Sequence, residues 1–201
     1  MRNIKLGLGV LSFATFAAFS AVAESDTGTF AARGVGAETC ESVTANIDAQ
    51  GQQRLDEVAS WLGGYVSYQN RITKGYFDVS PIQNNAALAI VVNSVCRNNP
   101  TSLLEGVAAT VVAAYRPLGS TEETDLVTLS NSAGSVVVRR SVLKKVQDYL
   151  VAQDLLAKRQ ADGQFGPKTS EAILNYQKSK GLSENGLPEA FTLLSIAQDM
   201  K

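Results

Sequence analysis

From Cys40 onward, apolar residues recur at three- and four-residue steps. Leu55, Val58, Ala59, Leu62, Tyr65, Val66 and Gln69 fall on one face, the signature of an amphipathic helix. Gly63 and Gly64 interrupt it at about 1 kcal/mol each relative to alanine, which predicts a close helix contact or a bend. Ser80 and Pro81 read as the cap and first turn of a second helix. Its stripe is Ala86, Ala89, Val92 and Cys96, and it closes near Asn98–Pro100. A third face follows at Leu104, Val107, Ala108, Val111, Val112 and Tyr115, ended by Pro117. Residues 40–116 therefore read as a small helical bundle.

The pattern changes over residues 117–140. Leu126 to Leu129 and Val136 to Val138 are short β-prone runs around Asn131-Ser132-Ala133-Gly134. Both a hairpin and an extended linker are compatible with them. Helical spacing returns at Leu143, Val146, Gln147 and Leu150. Asp162-Gly163 marks a turn, Gly166 frees the backbone, and Pro167 suits a first helical position. Thr169, Ala172, Ile173 and Tyr176 form the next face, which Gly181 closes. Pro188 opens a last helix carrying Phe191, Leu194 and Ala197. No internal repeat is apparent.

The first 23 residues read differently. Arg2 and Lys5 precede an apolar run from Leu6 to Val22, and Ala21-Val22-Ala23 gives a small-x-small cleavage pattern. This is the pattern of a secretory signal peptide, so no stable membrane span is expected after cleavage. Residues 24–39 are polar and glycine-containing and are expected to be flexible. Cys40 and Cys96 are the chain's two cysteines. In an oxidising compartment such a pair reads as a disulfide, worth about 4 kcal/mol for a loop of this length.

Composition narrows the chemistry. A formal net charge of −1 gives no basic excess for nucleic acid. The chain has no histidine, which excludes Ser-His-Asp and Cys-His nucleophiles and histidine-rich zinc sites. Ser141 and Lys144 have S-x-x-K spacing, but Lys144 falls on a polar helix face. No catalytic residue, metal or cofactor is therefore assigned.

Residues 142–198 resemble the three-helix peptidoglycan-binding domain found beside many wall hydrolases. The resemblance rests on Val146-Gln147 and Leu150, then Asp162-Gly163-x-Phe165-Gly166-x-x-Thr169. It continues through Ala172, Tyr176 and Gln177, then Gly181-Leu182, Gly186, Thr192 and Leu194. Ala190 and the long segment before Asp162 depart from the family pattern. The resemblance implies peptidoglycan as the partner. Within it, Gly163, Phe165, Gly166 and Thr169 are expected to serve the fold, with Phe165 plugging the core. Asp162, Gln164, Lys168, Tyr176 and Gln177 are the candidate peptidoglycan-binding residues, because an amide, an aromatic edge and charges suit glycan and stem peptide. Lys168, near a helix N-terminus, could receive a stem carboxylate.

Residues 36–115 are similar to the HdeA/HdeB-type periplasmic acid-stress proteins. That similarity lies in Cys40, Trp61-Leu62-x-Gly64-Tyr65, Asn70, Cys96-x-x-Asn99-Pro100 and Leu104. It implies an all-α bundle with one disulfide. The expected organisation is all-α, with a signal peptide (1–23), a flexible segment (24–39), an HdeA-like domain (40–116), a linker or short hairpin (117–140) and a peptidoglycan-binding domain (141–201). The function expected is that of a non-catalytic periplasmic protein held at the cell wall. The alternative is a wall-anchored acid-stress chaperone. Envelope proteins or unfolded clients would then be partners of the first domain.

Overall fold

A computed structural model describes residues 30–200. The signal-peptide reading lies outside the described residues, as do residues 24–29 of the segment expected to be flexible.

The described part of that segment is packed. Gly34–Ala37 forms a 3-10 turn beneath Trp61. A Cβ on Gly36 would come within 2.1 Å of the indole, so only glycine fits there. The Trp61 Nε1–H donates to the Arg33 carbonyl at 2.9 Å. Glu38 accepts from the Leu104 N–H and Thr39 pairs with Leu103, which joins the segment to the bundle.

Four helices follow: α1 (Cys40–Gln50), α2 (Gln52–Ile72), α3 (Asn85–Cys96) and α4 (Leu104–Tyr115). The Cys40–Cys96 disulfide ties the start of α1 to the end of α3, with Cα atoms 4.9 Å apart. Gly63 marks a close helix contact, because a Cβ there would meet the Asn85 side chain at 2.5 Å. The second helix begins later than its sequence predicts. The Asn84 side chain accepts from the N–H groups of Ala86 and Ala87 and is the true cap. Ser80 is instead occupied by Asp78 and by the Ile82 N–H, in a non-helical stretch.

The segment read as a linker or hairpin forms the hairpin. Strand β1 (Leu126–Asn131) pairs antiparallel with β2 (Gly134–Arg139), Leu129 opposite Val136. Its inner face buries Leu129 and Val138. The chain then continues as α5 (Arg140–Ala152), α6 (Pro167–Lys180) and α7 (Ala190–Asp199). The last helix is rotated from its predicted face: Thr192, Leu193, Ile196 and Ala197 are buried, while Phe191 is exposed. The fold is mostly helical with one two-stranded sheet, not purely helical.

The expected pair of separate domains does not describe the core. Buried residues from Cys40 to Ala197 form one continuous cluster. Helix α4 is buried along both flanks and packs on α3 and on α7. The Tyr115 hydroxyl donates to the Ala190 carbonyl at 2.8 Å. Lys145 of α5 donates to the carbonyls of Pro117 (3.3 Å) and Gly119, at the end of the turn that follows α4. This places an ammonium at a helix C-terminal end, where the helix dipole favours it.

The strongest polar tie is Asp78–Arg139. Both side chains are largely buried, and Nε lies 3.0 Å from the carboxylate. Asp78 also accepts from Asn70, Gln83 and the Ser80 N–H. Arg139 lies over the Phe77 ring and donates to the Thr124 carbonyl. Removing one partner of such a buried pair leaves an uncompensated charge. Asp78→Ala is therefore expected to cost about 3–5 kcal/mol in urea unfolding. A loss well under 1 kcal/mol would show that the pair does not hold the two halves together.

Candidate functional site

The C-terminal loops are built by two buried glutamines. Gln147 of α5 donates through Nε2 to the carbonyls of Gln160 (3.1 Å) and Gln164 (2.8 Å) and to Thr169 Oγ1 (3.1 Å). Its Oε1 accepts from the Gly163 N–H at 2.8 Å. Gln177 of α6 repeats this on the next loop. Its Nε2 donates to Asn185 Oδ1, the Leu187 carbonyl and Thr192 Oγ1 at 2.9–3.0 Å. Its Oε1 accepts from the N–H groups of Asn185 (3.0 Å) and Gly186 (2.8 Å).

The two loops share a construction that was not apparent as a sequence repeat. Asp162-Gly163 precedes Thr169 as Asn185-Gly186 precedes Thr192, at the same spacing. Asp162 Oδ1 accepts from the Gln164 N–H, and Asn185 Oδ1 from the Leu187 N–H, each at 2.9 Å. Gly163 and Gly186 both have positive φ, +76° and +68°. Gly186, Thr192 and Gln147 entered the sequence reading only as motif positions; Asn185 and the clamping role of both glutamines escaped it. The signal that could have found them is an Asx-Gly pair before a threonine, with a glutamine on the preceding helix.

The predicted binding residues divide. Asp162, Gln164 and Lys168 are exposed around the start of α6. Lys168 pairs with Glu171 at 2.9 Å. Tyr176 and Gln177 do not join them at the surface. Gln177 is fully buried with its amide spent on the loop, and Tyr176 is 2% exposed. Both support the fold rather than facing a ligand, because their polar atoms already have internal partners. Phe165 is half-buried at the core's margin, not at its centre. Thr169 is buried and accepts from Gln147 Nε2. Gly166 is extended (φ −141°) with open space around it, so glycine is not required there. Ser141 bonds Ser120 and Thr124, while Lys144 pairs with Asp148, so the two form no nucleophile pair.

Residues 139–194 match the family model of a putative peptidoglycan binding domain. No curated protein and no solved structure matches the chain. The matched segment begins on the last residue of β2 and takes in both glutamine-built loops.

At the far end of this module, Asp199 gathers three donors. Tyr149 (2.7 Å), Tyr176 (2.9 Å) and Lys180 (2.9 Å) all reach its Oδ2. Tyr176 also shares a hydrogen bond with Ser195 at 2.7 Å. Burial alone would raise the Asp199 carboxyl. The hydrogen bonds from Lys180, Tyr149 and Tyr176 outweigh it and hold the group below its ordinary 3.8. Burial, and then the Asp199 bond, push the Tyr149 phenol up to about 12.

Gln177→Ala would strand the N–H groups of Asn185 and Gly186 and take one of two donors from the Leu187 carbonyl, which keeps the Glu189 N–H. At about 1–3 kcal/mol for a stranded buried group, with partial rescue by water, a loss of about 2–4 kcal/mol is expected in chemical denaturation. A neutral result would contradict the clamp. The depressed Asp199 contributes stability that is present above its unfolded value and lost as pH falls through its folded one. Wild type should therefore lose more melting temperature than Asp199→Asn between pH 5 and pH 2.5. Equal losses would remove Asp199 from the acid response.

Proposed function

We propose that this is an exported, non-catalytic envelope protein whose C-terminal module binds peptidoglycan and holds the N-terminal helical unit at the cell wall. The observation that carries the reading is the family match over residues 139–194. The matched family is a binding domain, and a chain without histidine lacks the groups many wall hydrolases use. The signal-like N-terminus supports export to the periplasm. The disulfide suits an oxidising compartment. No described helix is long and apolar enough to cross a membrane. Residues 40–116 are a division of labour, not a separate core. We assign them as the HdeA-like unit that the module presents at the wall. Asp162, Gln164 and Lys168 are the exposed polar groups that the module offers to the polymer.

The alternative is an acid-stress chaperone anchored to the wall. It would draw on ion pairs such as Arg97–Asp48 (2.5 Å) and Arg54–Glu38 (2.6 Å). The Arg97 hydrogen bond holds Asp48 below its ordinary value, so that contribution fades as pH falls through the depressed one. Glu105 acts in the opposite sense. Burial raises its carboxyl, so its contribution is present below its unfolded value and lost as pH rises through the folded one. Acid thus removes some support from the bundle and adds some, and wall binding requires neither.

The full chain should sediment with purified sacculi without clearing their turbidity. Asp162→Ala/Gln164→Ala should weaken that binding about tenfold, near 1.4 kcal/mol, with unfolding little changed. Clearing of the sacculi would make the protein a hydrolase. Unchanged binding by the double variant would move the contact away from this loop.

A further inference from the structure

A groove of about 890 Å³ lies where the two halves meet. One wall is the 81–84 segment and the first half of α3, including Ile90. The other is Pro188–Phe191 at the start of α7, within the matched module. Four consecutive β2 residues, Ser135–Val138, also line it. A strand lines a cavity with consecutive residues when it presents its edge, since alternate side chains point to opposite faces. The register agrees. Arg140 N–H donates to the Asp125 carbonyl, so the hydrogen-bonded pairs are Val127↔Val138 and Leu129↔Val136. The N–H and C=O groups of Ser135 and Val137 therefore turn outward, to the open edge.

The lining is apolar apart from a few groups, and Glu189 is its one charged residue. Glu189 is exposed and lies outside the ion pairs found among the described residues. Ile90, Val137 and Phe191 are each more than 40% exposed around the groove. An open strand edge recognises a peptide backbone, apolar walls take small side chains, and a lone carboxylate takes an ammonium. A glycan offers no amide ladder to such an edge. The groove is also continuous with the module matched to peptidoglycan binding.

We propose that this groove binds the peptide stem of peptidoglycan as a third strand on β2. The stem's amides pair with Ser135 and Val137, its alanine methyls lie against Ile90 and Phe191, and the ammonium of its diamino acid meets Glu189. This inference rests on the wall-binding function proposed above and specifies the part of the polymer that is read.

The test titrates the isotopically labelled full chain with a synthetic pentapeptide, L-Ala-γ-D-Glu-L-Lys-D-Ala-D-Ala, and separately with an N-acetylglucosamine tetramer. The pentapeptide should shift the amides of Ser135, Val137, Ala190 and Phe191, and the tetramer should leave them in place. Val137→Pro removes an outward N–H without touching the hairpin ladder, and should weaken pentapeptide binding about tenfold. If that variant melts early, Ile90→Glu serves instead. Glu189→Gln should weaken the lysine pentapeptide but not its N-acetyl-lysine form. Sedimentation with sacculi, combined with unmoved groove amides or with shifts confined to residues 162–171, would overturn the groove assignment alone. Failure to bind both sacculi and pentapeptide would overturn the proposed function with it. Groove shifts that follow protein concentration without peptide would assign the surface to a second copy of the chain and overturn the proposal.

Discussion

Helix α4 sets the architecture. Leu104, Val107, Ala108, Val111, Val112 and Tyr115 are all buried, and they occupy more than one side of a twelve-residue helix. A helix that is apolar on several sides must be covered on several sides. Helix α3 covers one flank and α7 covers the other. Neither half can leave without exposing α4 to water, at roughly 25 cal/mol for each Å² of apolar surface. The polar ties at this junction, Asp78–Arg139, Tyr115–Ala190 and Lys145 with the Gly119 carbonyl, are the hydrogen-bonded counterpart of that burial.

The module's loops obey a different constraint. They reverse the chain near a tightly packed core, so their backbone groups cannot all reach water. Gln147 and Gln177 solve this by supplying a donor and an acceptor from the preceding helix. The solution is used twice with matching Asx-Gly turns and a receiving threonine. Rigid loops of this kind present their outer side chains in fixed positions, which is what a binding surface needs. Asp162 shows the division within one residue: Oδ1 is committed to the Gln164 N–H, while the side chain stays exposed.

Much of the fold was legible because local chemistry decides it. Gly181 closes α6 in the left-handed conformation, the β-prone runs make the hairpin, and Cys40 pairs with Cys96. What was not legible depends on distant partners. Asn84, not Ser80, caps α3, because Asp78 and Ile82 claim Ser80. Phe191 points outward because Leu193 and Ile196 face the shared core. Gln177 looks like a surface amide in the sequence, and its burial follows only from the loop folded over it. The shared core itself is invisible to periodicity, which shows that α4 is apolar but not what covers it.

The proposed function requires this chain to hold to peptidoglycan through a folded binding surface. Its most direct test is an equilibrium binding curve of the full chain on purified sacculi, measured before and after enzymatic removal of the peptide stems. Saturable binding to intact sacculi, reduced when the stems are removed, is the predicted result. No saturable binding to intact sacculi would contradict it.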